Sequence, residues 1–307
     1  MPQVNLFVTR ASFFASGPVS LCRVALIFTA IFALCGSLSQ AQNTTLEGQT
    51  GGFITPTAYI VPSDAGHRFS HPVVAFHFIS AGDVIGDVYT ISVTEGLSNR
   101  VEAGYTRSFH SNGENPYFSP LWFYDGFNVV HGKVNIIPET AKGHAWVPAV
   151  GIGGVYRNGV HYVSGAIARK SYDNGDVYIV ATRTLRMTKP PLLLNFGYKG
   201  TNASIFGVGG NSPDFVGKFY GGLGIGLPLG HGLIAVPAAG FTQEPRRVKN
   251  LPAADIPTTM DYAVRITQRE NPRFAFDAGV GQVAGRIMPG VNLHARSVFG
   301  MGLTYKF

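Results

Sequence analysis

The end of the chain alternates strictly between apolar residues and small or polar ones. In the segment SVFGMGLTYKF, glycine, threonine or lysine separates successive apolar residues, and the chain stops on an aromatic residue. The apolar positions are Phe299, Met301, Leu303, Tyr305 and Phe307. A period of two is the β-strand period, because successive side chains of a strand point to opposite faces. The pattern predicts a final strand with one fully apolar face and a backbone that needs pairing partners.

Similar short segments run from about Val73 onward, separated by Gly, Asn, Asp and Pro. The clearest spans Val88 to Phe109, where two alternating runs flank the short polar turn Glu95 to Asn99 and predict a hairpin with a periplasmic turn. The other candidate strands are 73–80, 127–137, 146–157, 177–187, 192–200, 219–230, 261–270 and 274–283. Pro148 and Pro237 fall inside candidate strands and predict bulges. We expect an all-β chain of about 12 strands, between 10 and 14, because barrel strands need roughly 9–11 residues and bacterial barrels favour even numbers.

Composition favours a barrel in lipid over a soluble sandwich, the alternative all-β fold. Only 13% of the 307 residues are charged, about half the share of a soluble domain. The 39 glycines and 12% aromatic residues suit turns, a crowded lumen and the aromatic girdles at membrane interfaces. The formal charge of +7 is too mild and scattered to predict a nucleic-acid partner, and in an open lumen it would favour anions weakly.

The first residues have the layout of a signal peptide. The apolar run Val24 to Leu34 follows Arg10 and Arg23 and precedes Ser39-Gln40-Ala41. That run is too short to span a bilayer as a helix, which leaves a buried core helix as the alternative. We therefore predict cleavage after Ala41, so that residues 1–41 are removed, residues 42–72 form an entry segment or small plug, and residues 73–307 form the barrel. Both cysteines, Cys22 and Cys35, fall in the leader, which leaves the mature chain without disulfide or thiolate chemistry.

Candidate functional residues are few. Alternation alone suggests Glu102, Arg107, Arg183 and Lys199 as lumen-facing residues. The nine histidines show no metal-ligand spacing, since His67 and His71 precede a proline and His131 and His144 would meet only across a hairpin. The sequence predicts no catalytic residue, no metal and no cofactor. The stretch Glu244 to Pro257 is predicted as a long outward loop, whose Arg246, Arg247 and Lys249 are either solvated or in contact with lipopolysaccharide phosphates.

Several stretches, taken in order, resemble an uncharacterised family of Gram-negative outer-membrane barrel proteins. They are GGFITPTAYI, EGLSNRVEAGYTRS, FNVVHGKVNIIPE, HAWVPAVGIGGVYR, GDVYIVATRTL, LLLN and IFGVGG. The resemblance covers nearly all of the mature chain and implies a barrel in the outer membrane, with no functional residues assigned. A weaker likeness, near Thr55-Pro56, is to barrels associated with exopolysaccharide export. The final strand resembles the terminal strand that such barrels present to their insertion machinery.

Three functions remain open at this stage. The first is a passive, porin-like channel for small solutes. The second is a structural or accessory barrel, closed by side chains or by the segment before Val73, that serves envelope assembly or polysaccharide export. The third is a lipid-acting enzyme, which would need Ser or Asp grouped with His at one rim. The expected partners are outer-membrane lipid, lipopolysaccharide and the insertion machinery, with polysaccharide-export proteins under the second reading.

Overall fold

The computed structural model describes residues 43–64, 66–122, 125–139, 146–160, 173–249, 253–270 and 272–307. The predicted signal peptide and His144 lie outside these residues. Within these residues the chain forms fifteen strands, two single-turn helices, α1 (Gly82–Ile85) and α2 (Ser119–Trp122), and one 3₁₀ turn (Ile205–Gly207). The strands are β1 (Val73–Ser80), β2 (Asp87–Leu97), β3 (Val101–Ser111), β4 (Phe127–Ile137), β5 (Ala149–Gly159), β6 (Asn174–Leu185), β7 (Leu192–Ala203), β8 (Asn211–Ile225), β9 (Leu227–Gly230), β10 (Leu233–Thr242), β11 (Thr259–Gln268), β12 (Phe274–Gln282), β13 (Ala284–Met288), β14 (Val291–Ala295) and β15 (Val298–Lys306).

Twelve of these strands close an antiparallel barrel. The order runs from β1 to β8, then β10, β11, β12 and β15, and β15 pairs with β1 from Val73↔Lys306 to Ser80↔Phe299. The short β9 pairs with β10, and β13 and β14 form a separate hairpin. The prediction of an all-β barrel of about 12 strands is confirmed. Closure is what makes the fold viable in lipid, since it leaves no sheet edge with unpaired backbone groups.

The proline positions show how far alternation alone locates a strand. Pro148 lies just before β5 rather than inside it. Pro237 lies inside β10, where the register with β11 is unbroken, so the bulge predicted there is wrong. On its other edge β10 pairs with β9 through Ala235 and with β8 from Ala238 onward. Pro237 therefore lies at the break between two partner strands, where its missing N–H removes no ladder bond.

The two ends of the barrel differ in the length of their connections. One end carries the turn 98–100 between β2 and β3, the connection 269–273, the entry to β1 and the carboxyl terminus. The other end carries the long connections 112–126, 243–258 and 283–297. Short turns are periplasmic and long loops extracellular in outer-membrane barrels. We therefore call the first the periplasmic end and the second the extracellular end.

The outer face of the barrel is apolar. Large side chains project outward from every part of the wall with 43–55% of their surface exposed, among them Phe76, Ile91, Tyr105, Phe196 and Leu303. A continuous apolar band of this kind matches acyl chains, and the protein is an outer-membrane β-barrel. Among the described residues, no helix has the length and apolar character needed to cross a membrane.

The extracellular connections pack together into an apolar cluster, here called the cap cluster. Its members include Val84, Ile85, Ile205, Val248, Ile256 and Leu293. The predicted outward loop, residues 244–257, lies at the extracellular end, and its Val248, Ala254 and Ile256 are each 3% exposed or less, whereas its basic side chains are exposed. The buried apolar residues alternate with Arg246, Arg247 and Lys249, so only the charged side chains stay in solvent.

Candidate functional site

The lumen is occupied by residues 43–64, here called the luminal segment. Its polar side chains are buried, with Asn43, Thr44, Gln49 and Thr50 at most 4% exposed. Two short bridges fold it on itself, Thr44↔Thr50 and Gly51↔Pro56. Burial of so many hydroxyl and amide groups is tolerable only where they are hydrogen-bonded, and most of their partners lie on the inner wall.

The first group of partners lies on β3 and β4. Glu102 accepts hydrogen bonds from the backbone N–H of Thr50 at 3.0 Å, from the Thr50 hydroxyl at 2.6 Å and from the Val61 N–H at 3.1 Å. Lys133 pairs with the same carboxylate at 2.8 Å and donates to the Thr50 carbonyl at 3.0 Å. Both charged side chains are fully buried. The pair thus anchors the segment at two separate points.

A second group lies on β5 and β6, toward the extracellular end. The Arg157 guanidinium binds the Glu47 carboxylate of the segment through two nitrogens and donates to Asp176 Oδ2 at 2.7 Å. The Tyr178 hydroxyl donates to Gln49 Oε1 at 2.6 Å. Arg157 is fully buried. A guanidinium shared between two carboxylates suits such a site, since its forked donors match both acceptors.

The opposite wall holds the segment as well. Asn43 bonds to Asp277 of β12 and to Thr304 of β15. Arg265 of β11 pairs with Asp277 at 2.8 Å and donates to the Gly51 carbonyl at 3.2 Å. The segment is therefore attached around the circumference rather than to one side of the barrel.

The segment leaves the lumen at the periplasmic end. The Tyr59 hydroxyl donates to Glu139 at 2.6 Å and contacts the Thr184 hydroxyl at 2.8 Å. Lys306 Nζ lies 3.1 Å from Asp64 Oδ1, and this hydrogen bond holds the pKa of Asp64 below its usual value. Val61 passes so close to β2 that a Cβ built on Gly96 would lie 1.9 Å from its carbonyl oxygen. Only glycine at this position leaves room for the chain to pass.

The four residues suggested as lumen-facing separate into two pairs. Glu102 and Lys199 lie on the inner face, at 0% and 6% exposure. Arg107 and Arg183 lie on the outer face, in register with Ile91 and Leu194. This corrects the expectation for both arginines. Arg107 and Glu102 are five positions apart on β3, an odd number that puts their side chains on opposite faces.

Each outward arginine has a local partner. The Arg107 guanidinium lies 5.0 Å from the centre of the Phe109 ring, and Arg183 reaches the periplasmic rim, where its Nη1 lies 3.2 Å from Glu139 Oε1. The terminal-strand residues Phe299, Met301, Leu303, Tyr305 and Phe307 are all exposed on the outer face.

Sequence reasoning missed most of the charged luminal network, including Lys133, Arg157, Asp176, Arg265 and Asp277. Strict parity along each strand would have found them, since each shares a face with small or polar residues at two-residue spacing. Alternation along a strand does not say which residue each of these charged side chains contacts. The luminal segment contributes Glu47 and a set of backbone groups to the network, and the alternation of the strands does not predict these contributions.

The histidines that the structure describes are dispersed over the barrel. Among the described residues, no group of three or more His, Cys, Asp or Glu side chains is placed to hold an ion. His77 and His131 are buried on the inner wall. His71 lies at the periplasmic end, with Nδ1 2.5 Å from Asp64 Oδ2.

The connection 204–210 closes the lumen from the extracellular side. Ile205 and Phe206 have φ of +49° and +53°, a conformation that is costly for a β-branched residue. The Phe206 ring lies 5.3 Å from Lys199 Nζ, and the Ile205 N–H donates to the buried Glu244 at 3.0 Å. Burial raises the pKa of Glu244 to about 7. This connection contacts both the cap cluster, through Ile205, and the luminal Lys199, through Phe206. The lumen is therefore filled from the periplasmic end by the luminal segment and from the extracellular end by this connection.

No protein-family model matches the chain, and no curated protein matches it. Solved structures with similar folds are outer-membrane barrels. The KdgM porin is 8% identical with a TM-score of 0.44, over 76% of this chain and 99% of that one. LpxR from Salmonella typhimurium is 10% identical with a TM-score of 0.46, over 76% and 100%. An outer-membrane channel from Pseudomonas putida F1 is 8% identical with a TM-score of 0.43, over 80% and 100%.

Proposed function

We propose that this barrel is a channel for small polar solutes that is closed at rest, with the luminal segment as its plug. The observation that carries the proposal is the chemistry of the contact between plug and wall. The segment is held by hydrogen bonds and ion pairs to a polar inner wall, as at Glu102 and Arg157. Water can replace hydrogen bonds of this kind when the segment leaves, at a net cost of about 1 kcal/mol each.

Three ion pairs of the inner wall are complete without the segment. Glu102 pairs with Lys133, Asp176 with Arg157 and Asp277 with Arg265, and both partners of each pair belong to barrel strands. If the segment is displaced, each charged residue of these three pairs therefore keeps its partner. The wall exposed by displacement is polar and suits a water-filled lumen. A barrel of about 12 strands filled only by its own side chains would need no separable segment.

The rival is a permanently closed structural or accessory barrel, which includes the possibility of polysaccharide-export partners. The cap cluster favours it, because an opening must also disrupt the packing of this apolar cluster, which includes Ile205, Ile256 and Leu293. The two functions differ in one measurable respect. The channel conducts once the segment is loosened, and the structural barrel does not.

An enzyme is the third candidate, and a His–Asp pair lies at each rim, His71 with Asp64 at the periplasmic end and His294 with Asp83 at the extracellular end. His294 Nδ1 lies 3.0 Å from Asp83 Oδ1. Among the described residues, no serine hydroxyl hydrogen bonds to the His294 ring. We therefore propose a channel rather than a hydrolase, with outer-membrane lipid, lipopolysaccharide and the insertion machinery as the partners of the barrel itself.

The test is conductance of the refolded chain, residues 42–307, in planar bilayers. A loosened variant combines Glu47→Ala, Gln49→Ala and Thr50→Ala, which remove contacts from the segment and leave every wall pair intact. A further variant, here called the lock, adds Ala58→Cys and Gly151→Cys to the loosened variant, so that a disulfide can tie the segment to β5. The pair is chosen because a Cβ on Gly151 would lie 3.3 Å from the Ala58 Cα. We expect the wild type to show few openings, the loosened variant to show discrete steps, and the oxidised lock to suppress them until a reductant is added.

The matched control carries the loosening changes with Gly151→Cys alone, which has no second thiol to pair with. Folding is checked by the heat-dependent shift in gel mobility. A loosened variant that is folded yet silent would favour the structural barrel, and a wild type with large permanent steps would contradict closure at rest.

A further inference from the structure

The luminal segment does not fill the lumen evenly. Against β8, β10 and β11 it leaves a cavity of about 100 Å³. The wall there consists of small residues, with Gly222, Gly224, Ala238, Gly240 and Ala263 facing inward. A space of this size holds several water molecules, and the polar residues in its lining can hydrogen-bond to them.

Asp261 lies on this cavity and differs from the other luminal carboxylates. Glu102, Asp176 and Asp277 each pair with a wall cation within 2.8 Å. No cation lies within pairing distance of Asp261 among the described residues, and its Oδ1 is buried without a hydrogen-bond donor. A buried carboxylate in this condition is costly. The site is therefore complete only with a proton or a positively charged ligand.

The space around Asp261 is built for close approach. In the barrel register Asp261 lies opposite Gly240 on β10 and Gly281 on β12. A Cβ on Gly240 would lie 2.4 Å from Asp261 Oδ1, so a larger residue would press on the carboxylate. On the cavity side, Thr55 and Asn195 supply further oxygen acceptors.

A second, apolar chamber of about 80 Å³ adjoins the first. It lies below the cap cluster and is lined by residues such as Phe53, Ile54 and Val298. Phe53, Asp261 and Ala263 line both spaces. The carboxylate thus lies at the boundary between the first cavity and the apolar chamber.

We propose that this junction binds a small alkylammonium ion, with the N–H donors on Asp261 and the short hydrocarbon part in the apolar chamber. An ammonium group supplies both the missing charge and the missing donors. The site predicts a cationic ligand, against the weak anion preference expected from net charge.

The experiment is calorimetric titration of n-butylammonium chloride into the refolded barrel, held in nanodiscs of zwitterionic lipid at fixed ionic strength. We expect saturable binding to the wild type, at least tenfold weaker binding to Asp261→Asn, and unchanged binding to Asp255→Asn. Asp255 is the matched control because it is an exposed carboxylate at the extracellular end, paired with Arg246 at 3.7 Å. Tetramethylammonium, which has the charge but no N–H donor, should bind more weakly than butylammonium.

Absence of saturable binding to the wild type would overturn the proposal, as would equal affinity in Asp261→Asn. If Asp261→Asn fails the gel-shift test for folding, Gly240→Ala replaces it as the test variant. Gly240→Ala keeps the charge of Asp261 and narrows the space next to its Oδ1. It should weaken binding, and unchanged affinity would contradict the site. The conductance experiment uses potassium chloride without amine, so failure of the channel and failure of this site are separate results.

Discussion

Replacing Glu102 with glutamine should destabilise the barrel and loosen its plug at the same time. Glu102→Gln leaves Lys133 as an unpaired charge with no exposed surface, and breaking a buried pair from one side costs about 3 to 5 kcal/mol. The amide also donates where the carboxylate only accepted, so the bonds from the Thr50 N–H, the Thr50 hydroxyl and the Val61 N–H cannot all persist.

The assay is a double-mutant cycle on equilibrium unfolding in lipid vesicles, with Lys133→Met as the second change. Because the double variant leaves no orphaned charge, its loss of stability should fall short of the sum of the two single losses by about 2 kcal/mol or more. Asp255→Asn serves as the control, since exposed pairs contribute about 0 to 1 kcal/mol. A loss below about 0.5 kcal/mol for Glu102→Gln, or strict additivity in the cycle, would refute the reasoning.

Three further outcomes are expected. Gly96→Ala should raise channel opening in planar bilayers with the wall charges unchanged, because its Cβ would lie 1.9 Å from the Val61 carbonyl oxygen; unchanged openings would contradict the tight passage. Met301→Arg places a charge on the lipid face and should cost about 2 to 4 kcal/mol near the bilayer centre, measured by unfolding in vesicles; a neutral effect would argue against that face meeting lipid. Glu244 has an ordinary pKa of 4.5 that burial raises to about 7, so the folded state binds more protons and stability should fall by about 3 kcal/mol as pH rises between these values. Glu244→Gln should remove that slope, and a slope that survives would assign it to another group.

The architecture could be predicted from the sequence because the barrel imposes one rule on every strand. Alternation located β1 and β4 with the bounds that the structure has, and it identified the terminal strand. The rule is local, since a side chain's face depends only on its parity within its strand. Where parity was misjudged, as for Arg107 and Arg183, a single odd step moved the side chain from lumen to lipid.

The candidate site could be predicted only in part, because it depends on contacts between distant parts of the chain. Glu102 meets Thr50 across 52 positions, and Arg157 meets Glu47 across 110. No period in the sequence encodes such pairings. The segment 42–72 was predicted as an entry segment or plug from its position before the first strand, and the burial of Val248 and Ile256 in the cap cluster was missed because their neighbours are charged.

Cross-linking can show whether residues 43–64 lie inside the barrel of the folded protein. A chain with Ala58→Cys and Gly151→Cys is expressed in outer membranes, oxidised mildly and analysed for the 58–151 disulfide. A Cβ built on Gly151 would point into the lumen and lie 3.3 Å from the Ala58 Cα, a reach compatible with disulfide geometry. The control moves the second cysteine one position, to Val150, on the opposite face of β5. We expect a disulfide between cysteines at positions 58 and 151 and none between cysteines at positions 58 and 150. Absence of the first, or equal yields of both, would contradict the luminal position of residues 43–64.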